Sequence, residues 1–180
     1  MRVAIFTGVV AIGLFFFVAA VASRYGPDAA QVPTVEARFL EKPPRHEAAF
    51  IQDWVVQHPD AARHYAFPIL FPLDLIFMLF LGGFLGLASV LTANTIGWLK
   101  PFAWLLAIVP AVYFVADLAE NVLLARLLLH AQAINDSSVR IARMATEVKL
   151  FAAGIAIVQA IVVSALAVVL GAACGRRAAR

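Results

Sequence analysis

Residues 99–129 read LKPFAWLLAIVPAVYFVADLAENVLLARLLL. As a helix this run is long enough to cross a hydrocarbon layer of roughly 30 Å. Its interior nevertheless carries Asp117, Glu120 and Asn121. Spacings of three and four residues put these groups on one helical face. Polar groups at hydrocarbon depth have to face protein or a cavity. The stretch therefore predicts a transmembrane helix inside a bundle, its acidic face turned toward other helices.

Composition requires the same setting. The chain has 180 residues, 63% hydrophobic and 14% charged, with a mean hydropathy of +0.91. Soluble domains are about half apolar and a quarter charged, so the bilayer has to act as solvent here. The net charge of +3 comes without a basic stripe interleaved with aromatics, which excludes nucleic acid as a partner. Cys174 is the single cysteine, so an internal disulfide, a CxxC pair and a thiolate metal cage are all excluded. No cofactor motif is present, and none is expected.

The remaining segments arrange themselves around that run. Residues 3–22 form an apolar stretch after Met1-Arg2, read as a retained first span, with a cleaved secretory signal ending at Ala20-Val21-Ala22 as the alternative. Residues 24–66 are the only long polar segment, broken by Gly26-Pro27, Pro33 and Pro43-Pro44. Within it, Pro44 to Gln57 predicts a short helix whose Trp54 suits the headgroup level, an interfacial element outside the cytoplasm. A second span, 67–91, opens at Pro68 and Pro72 and carries Asp74 and the packing strip Gly82-x-x-x-Gly86. The third span, 101–126, contains Pro110, which predicts a kink ahead of the acidic face. Asn135 to Ser138 supply helix-cap residues. From Ser138 an amphipathic, watery extension leads into a fourth span at 149–173, with small residues at Ala156, Ala160, Ser164 and Gly171.

The fold expected is an all-α integral membrane protein, a four-transmembrane-helix bundle in a single domain covering residues 1–180. Four spans place both termini on one side. A signal-like start and an Arg-rich tail make that side the cytoplasm of a bacterial inner membrane. In an up-down bundle Asp74, Asp117, Glu120, Asn121 and Lys149 then converge on one leaflet, the outer one, with His58 and His64 emerging nearby as accessory groups.

Several roles suit such a cluster. It can be a polar knot that holds the spans in register. It can orient the polar head of a lipid or other amphipathic ligand, or divide acid and base roles between two carboxyl groups as an intramembrane enzyme. It can relay protons or cations in a transport component. No Ser-His-Asp order, activated Cys, glycine loop, HxxxH or ExxH accompanies the carboxylates, so neither a catalytic residue nor a metal ligand is assigned. A non-enzymatic role is expected, with a lipid, a membrane-protein partner or a second copy as the companion.

The chain resembles a set of uncharacterised bacterial four-span membrane proteins. The likeness rests on Pro44-Arg45-His46-Glu47 to Trp54, on Pro72-Leu73-Asp74-Leu75, on Asp117-x-x-Glu120-Asn121 in the third span and on Lys149 at the fourth. It implies the same four-span fold and links Asp74, Asp117, Glu120, Asn121 and Lys149 as one set. It implies no activity.

Overall fold

The computed structural model describes residues 2–24 and 47–178 and holds no strand among them. The helices are α1 (Arg2–Arg24), α2 (Glu47–Gln57), α3 (Pro59–His64), α4 (Leu75–Ala93), α5 (Ile108–Leu129) and α6 (Asp136–Ala178). Three helical stretches are long and apolar enough to cross a membrane: Pro59–Ala93, Lys100–Leu129 and Asp136–Gly171. The proline-broken loop, the helix start at Pro44 and the side chain of Cys174 lie outside the described residues.

Two pairs of neighbouring residues explain where α4 begins. Phe67 and Phe71 take extended backbone (φ −138°, ψ 120° and φ −131°, ψ 121°), and each precedes a proline. The proline ring disfavours helical geometry in the residue before it. The regular helix therefore starts at Leu75 rather than at Phe67. The stretch Tyr65–Asp74 becomes a broken, wound connection to α3.

Proline acts again in the third span. The chain winds tightly over Lys100–Ala107 and relaxes into α5 from Ile108. Pro110 has no N–H to give to the carbonyl one turn earlier, that of Leu106. Gln159 Nε2 of α6 donates to that carbonyl instead, at 2.7 Å. The bond deletion expected to kink the span is thus met by a neighbouring helix.

Along the bundle the apolar core falls into three layers. At one end α2, α3 and residues 65–71 form a cap over α5 and α6, burying Ile51, Val55, Ala62 and Leu70 against Leu124, Leu128, Val139 and Ala142. In the middle Met78, Tyr113 and Ala152 meet. At the far end Ala93, Ile96, Ala103 and Val163 close the bundle. Helices α5 and α6 run antiparallel and share the most extensive contact, while α4 packs on both. The first helix lies along α4, where Gly8 lets the backbone approach the Phe84 ring: a Cβ there would stand 2.9 Å from it.

The start of α6 is fixed by reciprocal bonds. Ser138 N–H donates to Asn135 Oδ1, and Asn135 N–H donates to Ser138 Oγ, each at 2.9 Å. The helix then continues unbroken through the segment expected to be watery. There Val139, Ala142 and Thr146 are buried, while Ile141, Met144 and Val148 point outward. The outward apolar flank continues through Phe151, Ile155 and Val158, with Arg143 and Glu147 also reaching the surface in the segment expected to be watery.

Candidate functional site

The acidic face of α5 turns inward. Asp117 is 2% exposed, Glu120 0% and Asn121 1%. Burial of this kind needs partners, because an unpaired ion in a low-dielectric interior costs several kcal/mol. The partners come from two other helices. Lys149 of α6 forms an ion pair with Glu120 and lies 3.4 Å from Asp117 Oδ1. Its own side chain is only 12% exposed. Asp74, half-buried at the start of α4, accepts a hydrogen bond of 2.7 Å from Asn121 Nδ2. Its carboxylate makes no side-chain cap on α4, the role a near-water position would have suggested. The sequence-derived set thus forms two links on the acidic face of α5, Asp74 with Asn121 and Lys149 with Asp117 and Glu120.

Two further residues belong to it. The Thr146 hydroxyl donates to Glu120 Oε1 and lies 3.2 Å from the Ala142 carbonyl of its own helix. Tyr113, 3% exposed, lies with its hydroxyl beside Asp117. Both sit at helical spacing from a charged member: Thr146 three residues before Lys149, Tyr113 four before Asp117. That spacing is the signal that could have found them.

The histidines stand apart. His58 stacks on Trp54 with ring centroids 5.1 Å apart, and its Nδ1 lies 3.1 Å from the Trp54 carbonyl. His64 is exposed, with Nδ1 2.7 Å from the Asp60 carbonyl. Each is engaged with its own helical turn. Among the described residues no group of three His, Cys, Asp or Glu side chains could hold a metal ion.

The network lies between two apolar layers. On the cap side Leu70, Leu124, Leu128 and Ala142 are buried over it. On the other side the buried Met78, Leu85, Ala152 and Ala156 separate it from the far end. Beyond that seal the polar groups are scattered: Gln159 bonded to Leu106, with Asn94, Thr95 and Ser164 exposed. Among the described residues, Ser89 is the fully buried polar side chain of that half. The grooves at the α5–α6, α1–α4 and α4–α5 seams are apolar and open outward, and none is lined by a member of the network. Chemically the arrangement offers three carboxyl groups, one ammonium and a carboxamide on neighbouring helices, and none of them opens into those four grooves.

No family profile, curated protein or solved structure matches the chain. The likeness to four-span bacterial proteins rests on the quoted residues alone.

Proposed function

We propose that this chain is a non-enzymatic, four-span protein of a bacterial inner membrane that serves as a packing partner in a membrane complex. In this reading the buried network is the bolt that fixes the register of α4, α5 and α6. The observation that carries it is the mutual engagement of Lys149 with Asp117 and Glu120, and of Asn121 with Asp74, each pair joining two helices. Helix α1, packed along α4, supplies the fourth span. The cap helix α2, with Phe50 and Val56 exposed, lies at the headgroup level on the side opposite the termini, which face the cytoplasm.

The charge count favours a second reading. Two buried carboxyl groups, Asp117 and Glu120, pair with the one Lys149 ammonium, so a bound proton or a cationic headgroup would suit this pair. That is the form in which the ligand-binding and proton-coupling roles survive. The apolar seal at Met78, Leu85, Ala152 and Ala156 weighs against conduction through the bundle.

Native mass spectrometry and thermal melting of the purified protein, wild type against Asp117→Asn/Glu120→Gln, separate these readings. The bolt predicts identical mass spectra and a marked loss of melting temperature in the variant. An adduct carried by the wild type and lost only in the variant would overturn it and make the network a binding site.

A further inference from the structure

We propose that the α5–α6 seam is the seat of an anionic phospholipid, with an acyl chain in its trough and the phosphate held by Arg126, Arg140 and Arg143. The trough has a volume of about 570 Å³ and is walled by Val112, Val115 and Ala119 of α5 and by Met144, Ala145 and Val148 of α6. A second groove of about 430 Å³ shares Val112 and Val148 and carries it on to Val109 and Ile155. The two make one apolar channel along the seam. In hydrocarbon such a channel is filled by whatever chain lies beside it. A choice among lipids then has to come from polar groups at its mouth.

The mouth is basic. Arg140 stands one helical turn capward of Met144, and Arg143 one turn capward of Glu147, a residue lining the second groove. Arg126 stands two turns capward of Ala119 on the same face of α5. Because α5 and α6 are antiparallel, all three arginines lie toward the cap end of the seam. Arg126 and Arg140 are exposed, and Arg143 reaches the surface with its Nε 3.2 Å from Glu147 Oε1. A guanidinium carries five N–H donors, so Arg143 can pair with Glu147 and still reach a phosphate.

Depth agrees with charge. Exposed Trp98 and Trp104 mark the far end of the third span, the level of an aromatic belt. At a rise of about 1.5 Å per residue, Arg126 lies about 33 Å from Trp104 along the helix. That matches a hydrocarbon layer of roughly 30 Å with Arg126 at the opposite headgroups. The trough lies below it at acyl-chain depth. The proposal is independent of the buried network, because none of its residues lines the trough.

The test is lipid retention by the full-length protein in micelles carrying equal phosphatidylglycerol and phosphatidylcholine of matched chains, read by native mass spectrometry. Wild type is expected to retain phosphatidylglycerol preferentially, and Arg126→Gln/Arg140→Gln/Arg143→Gln to lose that preference, on the order of 5-fold per arginine. The corresponding triple Arg→Lys variant keeps most of it. Ala119→Phe/Ala145→Phe, which fills the trough from both walls, lowers retention of both lipids. Equal retention by wild type, a preference that survives in the Gln variant, or a seam occupied by a second copy in a lipid-free dimer would each overturn the proposal. Melting curves of all variants confirm that folded protein is compared.

Discussion

The two halves of the bundle join the same three helices by different means. On the cap side of Met78 and Tyr113, α4, α5 and α6 are tied by groups with charge and direction: Asp74 to Asn121, Lys149 to Asp117 and Glu120, Thr146 to Glu120. On the far side they meet through small and apolar contacts. A Cβ on Gly82 would stand 3.5 Å from the Tyr113 ring and one on Gly86 3.7 Å from Pro110, and Ala93, Ala103 and Val163 close the end. Among the described residues, the interhelical hydrogen bond from Gln159 to Leu106 punctuates that half. Apolar contact in lipid has little hydrophobic drive and tolerates sliding, whereas an ion pair has one geometry. The cap-side half therefore fixes register, and the far half supplies close approach.

The sharpest way to break this contrast is Lys149→Met. It removes the ammonium that pairs with Asp117 and Glu120 while roughly keeping the volume. Breaking a buried pair from one side costs on the order of 3–5 kcal/mol, because it leaves uncompensated charge. We expect the largest fall in melting temperature of any single substitution in the bundle. Restoring part of it with Lys149→Met/Glu120→Gln would show that the cost is the orphaned charge. No recovery in the double variant would show that it is lost packing.

The halves also differ in how far their residues announce them. Charges in an apolar run stand out, so Asp117, Glu120, Asn121, Asp74 and Lys149 are visible as candidates from type and spacing alone. Tyr113 and Thr146 are ordinary on apolar helices, and only their contact with Asp117 and Glu120 marks them. The amphipathic pattern of Glu47–Gln57 fits a headgroup surface and a protein surface equally well. The contact of Ile51 and Val55 with α5 and α6 is a tertiary fact. The start of α4 at Leu75 was readable in principle from Phe67-Pro68 and Phe71-Pro72, through the restriction proline places on its predecessor. The Gln159–Leu106 bond joins residues distant in sequence, and nothing local to either foretells it.

That bond gives the intermediate test. Gln159→Leu leaves the Leu106 carbonyl without the donor that replaces the N–H missing from Pro110. Interhelical hydrogen bonds in membranes average about 0.6 kcal/mol with a maximum near 1.7, so the loss should be clear but smaller than for Lys149→Met. Pro110→Ala in the same background restores the helical donor and should recover stability. A Gln159→Leu effect as large as that of Lys149→Met would erase the contrast between the halves.

The smallest and most discriminating comparison uses two hydroxyls that are both 0% exposed, Thr146 and Ser89. Thr146 Oγ1 is bonded to Glu120, whereas Ser89 Oγ has no hydrogen-bond partner. A satisfied buried donor contributes about 1 kcal/mol, while a buried polar atom left without a partner is itself a cost. Thr146→Val should therefore lower the melting temperature modestly, by removing a donor to a buried carboxylate. Ser89→Ala should leave it unchanged or raise it slightly, because nothing is bonded to the atom removed. The two effects have opposite signs only if the cap-side half depends on directed polar contacts and the far half on close packing. Equal losses at both positions would mean that the far half, too, is held by hydrogen bonding through its serine.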